Sequence, residues 1–259
     1  MHLPPRGDTW PTSLPLLDHV RTVPLDVNVT IVVGENGSGK STLLETLAIA
    51  AGLPVAGSWD VAGADPTLAR VGDLASSVRL EWTHRSTRGL FMRAEDFFGY
   101  VHTQNRKDEE LRADAARLAR EYAHLPELEL RRIQGPFLGP VAGRESRYRG
   151  DLDGRSHGEA FLAFFGARVH DRGLYVLDEP EAALSPSRQL AFLSLVRERA
   201  RAGAQFVIAT HAPIVMALPE ARVLELREDG LVESAFDDLD HVQLLRNFLA
   251  APEAFLRHL

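Results

Sequence analysis

Short apolar runs alternate with amphipathic stretches along this chain. Val27–Val33, Leu174–Leu177 and Gln205–Ala209 are almost continuously apolar over strand length. That is the pattern of strands covered on both faces of a sheet. Ser41–Ala51 repeats apolar residues at helical spacing, with Leu44, Leu47, Ala48 and Ala51 on one face, and stops at Gly52 and Pro54. Strands and helices in alternation predict an α/β fold, a mostly parallel sheet flanked by helices.

Other stretches follow different periods. Val78, Leu80 and Trp82 alternate with Arg79 and Glu81, which predicts a half-exposed antiparallel strand. A turn through Ser86–Gly89 would lead to its partner, Leu90–Arg93. A second hairpin is predicted at Asp229-Gly230, between Arg222–Leu226 and Leu231–Glu233. Leu111, Ala115, Leu118 and Tyr122 recur at helical spacing among charges over Lys107–His124, the mark of an amphipathic surface helix. It belongs to a small helical insertion over 103–150. Gln134–Gly154, rich in glycine and arginine, reads as a loop.

Composition narrows the class. At 259 residues, 45% hydrophobic and 25% charged, the chain is an ordinary globular protein. It has no cysteine, which excludes disulfides and thiolate metal sites and suits a reducing cytoplasm. A net charge of -7 argues against a surface coated with nucleic-acid-binding basic residues, while leaving room for a local patch. No apolar run approaches bilayer length, and the start lacks a signal-peptide pattern. The expectation is a cytoplasmic protein with no direct membrane insertion.

The first chemical signal interrupts the core. After the Val27–Val33 strand come Gly34, Glu35, Asn36, Gly37, Ser38, Gly39, Lys40, Ser41 and Thr42, with spacing G-x-x-x-x-G-K-S. A strand-to-helix turn built on glycine lets backbone N–H groups converge on an anion, and the helix N-terminus adds partial positive charge. The spacing puts Lys40 in reach of β- and γ-phosphates and the Ser41 hydroxyl on a magnesium ion. A nucleoside triphosphate site is predicted here.

A second signal is Asp178-Glu179, at the C-terminal end of the Leu174–Leu177 strand, where ligands of open α/β sheets sit. Asp178 is placed as a magnesium ligand and Glu179 as the residue that polarises the attacking water. Ser156-His157-Gly158-Glu159 opens an apolar helical run. By local pattern alone it is a capping box, Ser at the N-cap and Glu three residues on. His211 follows the Gln205–Ala209 strand.

The phosphate loop, a Ser-x-Gly-Glu helix start, "LDEP" and a post-strand histidine, in this order, resemble ABC-type ATPases over most of the chain. The resemblance implies a P-loop fold of ABC type, ATP and Mg²⁺ as cofactors, hydrolysis to ADP and phosphate, and a homodimer with ATP sandwiched between copies. It makes Glu179, His211 and Lys40 the catalytic set, with His211 sensing the γ-phosphate. Ser156, His157, Gly158 and Glu159 become the signature that contacts the partner copy's γ-phosphate in trans. Ser185, in "ALSP", becomes part of the loop that communicates across the dimer, and Glu95, in "LFMRAED", takes the place of the lid glutamine, with Gln104 the alternative. Trp10 falls about where an aromatic stacks on adenine, and equally reads as a packed or exposed tryptophan.

Departures accompany the likeness: His157 replaces a glycine, Glu159 a glutamine, Arg155 a leucine and Glu95 a glutamine. The combination resembles the small ATPases related to the Rad50, RecF and structural-maintenance class more than transporter subunits. One domain over 1–259 is expected, made of a phosphate-loop lobe with a β portion (1–102), the insertion (103–150), and a half carrying signature, Walker B and switch histidine (151–259). Arg131, Arg132, Arg144, Arg147, Arg149 and Arg155 could contact nucleic acid or the opposing ATP, or form a solvated loop diluted by Glu145, Asp151 and Asp153. The leading role is an accessory ATPase in nucleic-acid repair or defence. The alternatives are the ATP-binding subunit of a transporter, or a slow nucleotide-dependent switch acting on a protein partner.

Overall fold

The computed structural model describes residues 1–56, 68–86, 88–148 and 156–257. Its strands are β1 Val29–Gly34, β2 Gly89–Arg93, β3 Leu174–Asp178, β4 Gln205–Ala209, β5 Arg222–Arg227 and β6 Gly230–Glu233. They form one sheet in the order β2-β3-β4-β1-β5-β6. The first five run parallel and β6 returns antiparallel on β5. Every residue of β3 is buried, as are Val29–Val33 of β1 and Phe206–Ala209 of β4. Burial on both faces is why these strands are continuous apolar runs.

Helices cover the two faces. On one lie α1 Leu16–His19, α2 Lys40–Ala51 and α3 Gly72–Ser77, where Leu44 and Leu47 meet Val32, Val176 and Val207. The other carries α6 His157–Arg168, α7 Pro186–Arg201, α8 Pro213–Met216 and α9 Asp240–Ala250, followed by α10 Pro252–Leu256. Its centre is aromatic. Phe165 meets Phe192 with centroids 5.2 Å apart, and Tyr175 stacks on Phe206 at 5.3 Å. Truncating one of these fully buried rings to alanine costs about 3–5 kcal/mol, so this layer anchors β3 and β4 to the helices.

The β portion of the first hundred residues departs from the hairpin expected there. Residues 78–82 form no strand; Arg79 makes a lone antiparallel bridge with His2. Leu90–Arg93 lies in β2 and pairs parallel with β3. Leu90, Phe91 and Met92 are all buried, so this segment needs cover on both faces, which a two-stranded hairpin does not supply. Val78, Leu80 and Trp82 instead pack against the α2 layer. The hairpin at Asp229-Gly230 is present as β5–β6.

The expected surface helix is longer than its periodic core, running Ala94–Glu121 as α4. The loop expected over Gln134–Gly154 is helical as far as Tyr148, within α5 Glu127–Tyr148, despite Pro136 and Pro140. The residues from 149 to 155 lie outside those described. Packing against α4 overrides the breakers: Val141 is buried, Gln134 donates to the Ala115 carbonyl at 3.1 Å, and Arg144 pairs with Asp108. Arg112–Glu145 adds a second ion pair at 2.7 Å.

Candidate active site

The glycine loop leaves the end of β1. Gly34 sits at φ 149, and a Cβ there would stand 2.5 Å from the Leu226 carbonyl oxygen of β5, so glycine alone fits. Gly37 and Gly39 also hold left-handed backbone, at φ 81 and 99. This turn delivers the chain into α2, whose N-terminus faces the loop. Glu35, Asn36 and Gly37 are exposed, Ser38 and Thr42 half-buried, Ser41 exposed. Lys40 is buried and folded over its own loop, Nζ donating to the Gly34 and Glu35 carbonyls at 2.8 and 2.9 Å. Burial lowers its pKa, opposed by Glu179, Asp178 and Glu35. The ammonium therefore lies in the field of both strand-end acids.

Asp178 ends β3 and is buried. Burial pushes its carboxyl up to about 6, a hydrogen bond to the Ser41 hydroxyl pulls the other way, and Glu179 and Glu45 reinforce the rise. Its Oδ1 is buried without a protein partner. A hard cation held by one carboxylate, one hydroxyl and phosphate oxygens suits that donor set, so the residues present fit magnesium.

Glu179 is turned the other way by its backbone, which sits left-handed at φ 49, ψ 48. Such a conformation in a non-glycine residue costs on the order of 1–3 kcal/mol and is found at functional sites. The Glu179 N–H donates to the Ala209 carbonyl at 2.9 Å, and the side chain is 48% exposed, with Oε1 3.7 Å from His211 Nε2. One acid is thus held inside and its neighbour is aimed at solvent beside a histidine.

Two residues of this site carried no recognised signal in the sequence. Glu181 accepts the His211 N–H on Oε1 at 2.7 Å. Arg93, ending β2, donates to Asp96 at 2.6 Å and to Glu45 at 3.2 Å, joining the start of α4 to α2 one turn beyond Ser41. Arg93 ends an apolar strand and Glu181 lies in the turn just beyond one, where a solvated side chain is the ordinary outcome.

The remaining candidates are spread around this centre. Glu95 is in the first turn of α4 and His157 begins α6; the side chains of both lie outside the described residues. Gln104 is nine residues further along α4, ~14 Å up the helix. Trp10 is 51% exposed. Six residues on, Leu16 reaches the loop, its Cδ2 3.0 Å from where a Gly39 Cβ would be. Ser185 is exposed at the N-cap of α7, its Oγ 3.2 Å from Ser187 Oγ. Ser156–Glu159 is a capping box: Ser156 N and Oγ both donate to Glu159 Oε2, at 3.1 and 2.9 Å. Its further contacts run to α7, where Arg188 pairs with Glu159 at 3.0 Å. Of the arginine-rich stretch, Arg131 pairs with Glu127 and Arg144 with Asp108, within the α4–α5 pair. Arg132 is exposed. The Arg147 side chain, and residues 149 and 155 entirely, lie outside the described residues.

A glycine loop feeding a helix, with acids at the end of the parallel strand β3 on the far side of β4, is the plan of a P-loop ATPase of ABC type. A family model described as "AAA domain, putative AbiEii toxin, Type IV TA system" matches residues 29–138 and 159–217, well over half of the chain, and the chain belongs to this family. It is 33% identical over 221 residues to the hemin import ATP-binding protein HmuV of Streptomyces coelicolor, covering 82% of this chain and 70% of that protein. It is 30% identical over 221 residues to the macrolide export ATP-binding/permease protein MacB of Pectobacterium atrosepticum, covering 82% of this chain. The chain spans 29% to 31% of the length of the MacB relatives it matches. Among solved structures, the SMC head domain from Thermotoga maritima aligns at a TM-score of 0.40 and 16% identity, over 82% of this chain and 92% of that one. No helix among the described residues is long and apolar enough to cross a membrane.

Proposed function

We propose that this chain binds Mg-ATP in the 34–42 loop, closes on a second copy, and hydrolyses the γ-phosphate. The observation that carries this reading is the buried Asp178 carboxylate, one oxygen without a protein partner, hydrogen-bonded to Ser41. Lys40 exchanges its two carbonyl partners for β- and γ-phosphate oxygens. Ser41 and Asp178 would hold magnesium, whose positive charge would offset charge on the phosphates. Glu179, exposed and displaced from Asp178 by its left-handed backbone, takes the proton of the attacking water. His211 donates to the γ-phosphate, Glu95 lies in the lid, and Trp10 stacks on adenine. Ser156, His157, Gly158 and Glu159 of one copy, with Ser185 beside them, meet the ATP held by the other.

The work driven by this cycle is proposed as an accessory role in nucleic-acid repair or defence. Support comes from the resemblance carried by "FMRAED", "SHGE", "DEPEAALSP" and "THAP" to the small ATPases of the Rad50, RecF and structural-maintenance class. A second reading, the ATP-binding subunit of a transporter, is favoured by the names of the relatives HmuV and MacB. ATPase rates alone, with DNA, with RNA and with a co-purified membrane fraction separate the two. Stimulation by nucleic acid that fades steeply with salt supports the first; stimulation only by membranes supports the second. No hydrolysis under any condition overturns the catalytic reading.

A further inference from the structure

We propose that Arg188 is a positioning residue for the signature segment: it neutralises Glu159, so that the α6 N-terminus offers Ser156 and backbone donors, instead of a carboxylate, to the partner copy's γ-phosphate. The inference rests on the in-trans reading above and explains how that reading accommodates an acid.

The difficulty lies in the sequence. Position 159 is glutamate where ABC-type signatures carry glutamine. A helix N-terminus binds anions, and a carboxylate three residues in already occupies it. Glu159 Oε2 accepts both the N–H and the hydroxyl of Ser156, the donors that a phosphate needs. Those two hydrogen bonds, more than the Arg188 charge, hold the Glu159 carboxyl below the usual range, so it is ionised at neutral pH. An arriving phosphate meets a fixed negative charge.

Arg188 offsets that charge from the α7 side. It extends from the first turn of α7, three residues after Ser185, and pairs through Nη2 with Glu159 Oε1 at 3.0 Å. This oxygen is the one that Ser156 does not use. The arginine stem crosses directly over Gly158, where a Cβ would stand 2.5 Å from Arg188 Cδ and 3.1 Å from the Ala183 carbonyl. Glycine at 158 is therefore what admits the arginine. The Arg188 side chain is 31% exposed. When phosphate displaces Glu159 from Ser156, the carboxylate already has a second partner, so the exchange strands no charge. The same first turn of α7 follows the loop proposed to cross the dimer, which ties signature and loop in one rigid unit.

The test uses the full chain carrying Glu179→Gln, which is expected to retain bound ATP. ATP-dependent dimerisation is read by size-exclusion chromatography, and ATP binding to the monomer with a fluorescent ATP analogue. Arg188→Met keeps the aliphatic stem over Gly158 and removes only the charge. It is expected to leave monomer binding within twofold and to weaken ATP-dependent dimerisation at least tenfold. Adding Glu159→Gln is expected to restore dimerisation to within about threefold, because a neutral amide needs no counter-charge. A packing role for Arg188 predicts no such rescue. Unchanged dimerisation of Arg188→Met, or failure of Glu159→Gln to rescue a variant with parental melting temperature, overturns the inference. If the Glu179→Gln parent itself never dimerises with ATP, the in-trans reading fails, and the role of Arg188 with it.

Discussion

The Glu181 carboxylate and the His211 backbone N–H are joined by a 2.7 Å hydrogen bond. It connects the turn after β3 to the turn after β4, two neighbouring parallel strands. The imidazole is thereby held 3.7 Å from Glu179 by an interaction that does not involve the ring. Glu181→Ala is expected to let that turn drift and to reduce turnover by tenfold or more, about 1.4 kcal/mol in the barrier. Glu181→Gln retains an acceptor and should lie between the two. Steady-state kcat with parental ATP affinity checks this; equal rates for all three would detach Glu181 from the site.

Lys40→Ala removes a buried ammonium from the loop. The loss of a charge-assisted contact to phosphate should weaken ATP binding by about 2–3 kcal/mol. Titration with a fluorescent ATP analogue measures it, and parental affinity would contradict the phosphate-loop assignment.

Glu179→Gln keeps the length and loses the charge. Hydrolysis should fall about 10²–10⁴-fold, the contribution of a general base, while ATP binding persists. A parental rate would transfer the role to another acid, with Glu95 the first to try.

Asp178 links the site to stability. Its folded pKa is about 6 against 3.8 in the unfolded chain, so between those values the folded state binds the extra proton. Stability therefore falls as pH rises through that window, and the full penalty stands above about 6. Asp178→Asn should stabilise the metal-free protein at pH 8 by on the order of 1–3 kcal/mol, with the gain vanishing below pH ~4. The same variant should lose magnesium-dependent ATP binding. Denaturant unfolding in EDTA at both pH values reads the first effect; a gain that does not vary with pH would sink the linkage.

Ser156→Arg and Lys40→Ala should each be nearly inactive, for different reasons. Mixed, they can form a heterodimer with one intact composite site, Lys40 from one copy and Ser156 from the other. ATP-dependent dimerisation, and part of the hydrolysis, should return. Folded, subunit-exchanging variants that recover neither would leave Ser156–Glu159 a capping box and nothing more.

Local chemistry was legible along the chain. The buried strands announced themselves because double-sided burial makes uninterrupted apolar runs, as in Leu174–Leu177. The glycine loop did so because Gly34, beneath the Leu226 carbonyl, tolerates no side chain. The capping box at Ser156 was readable because its two partners are three residues apart.

What required the tertiary structure was every choice between competing partners. Leu90–Arg93 could pair with residues 78–82 by pattern, but three consecutive buried side chains demand two covered faces, and only β3 with its helix layers supplies them. Pro136 and Pro140 argue against a helix until α4 provides the packing that outweighs their lost hydrogen bonds. The left-handed backbone of Glu179 and the reach of Arg188 over Gly158 have no local signal at all. Periodicity and spacing report each residue's own burial and its near neighbours; strain and charge pairing depend on residues that meet only when the sheet is assembled.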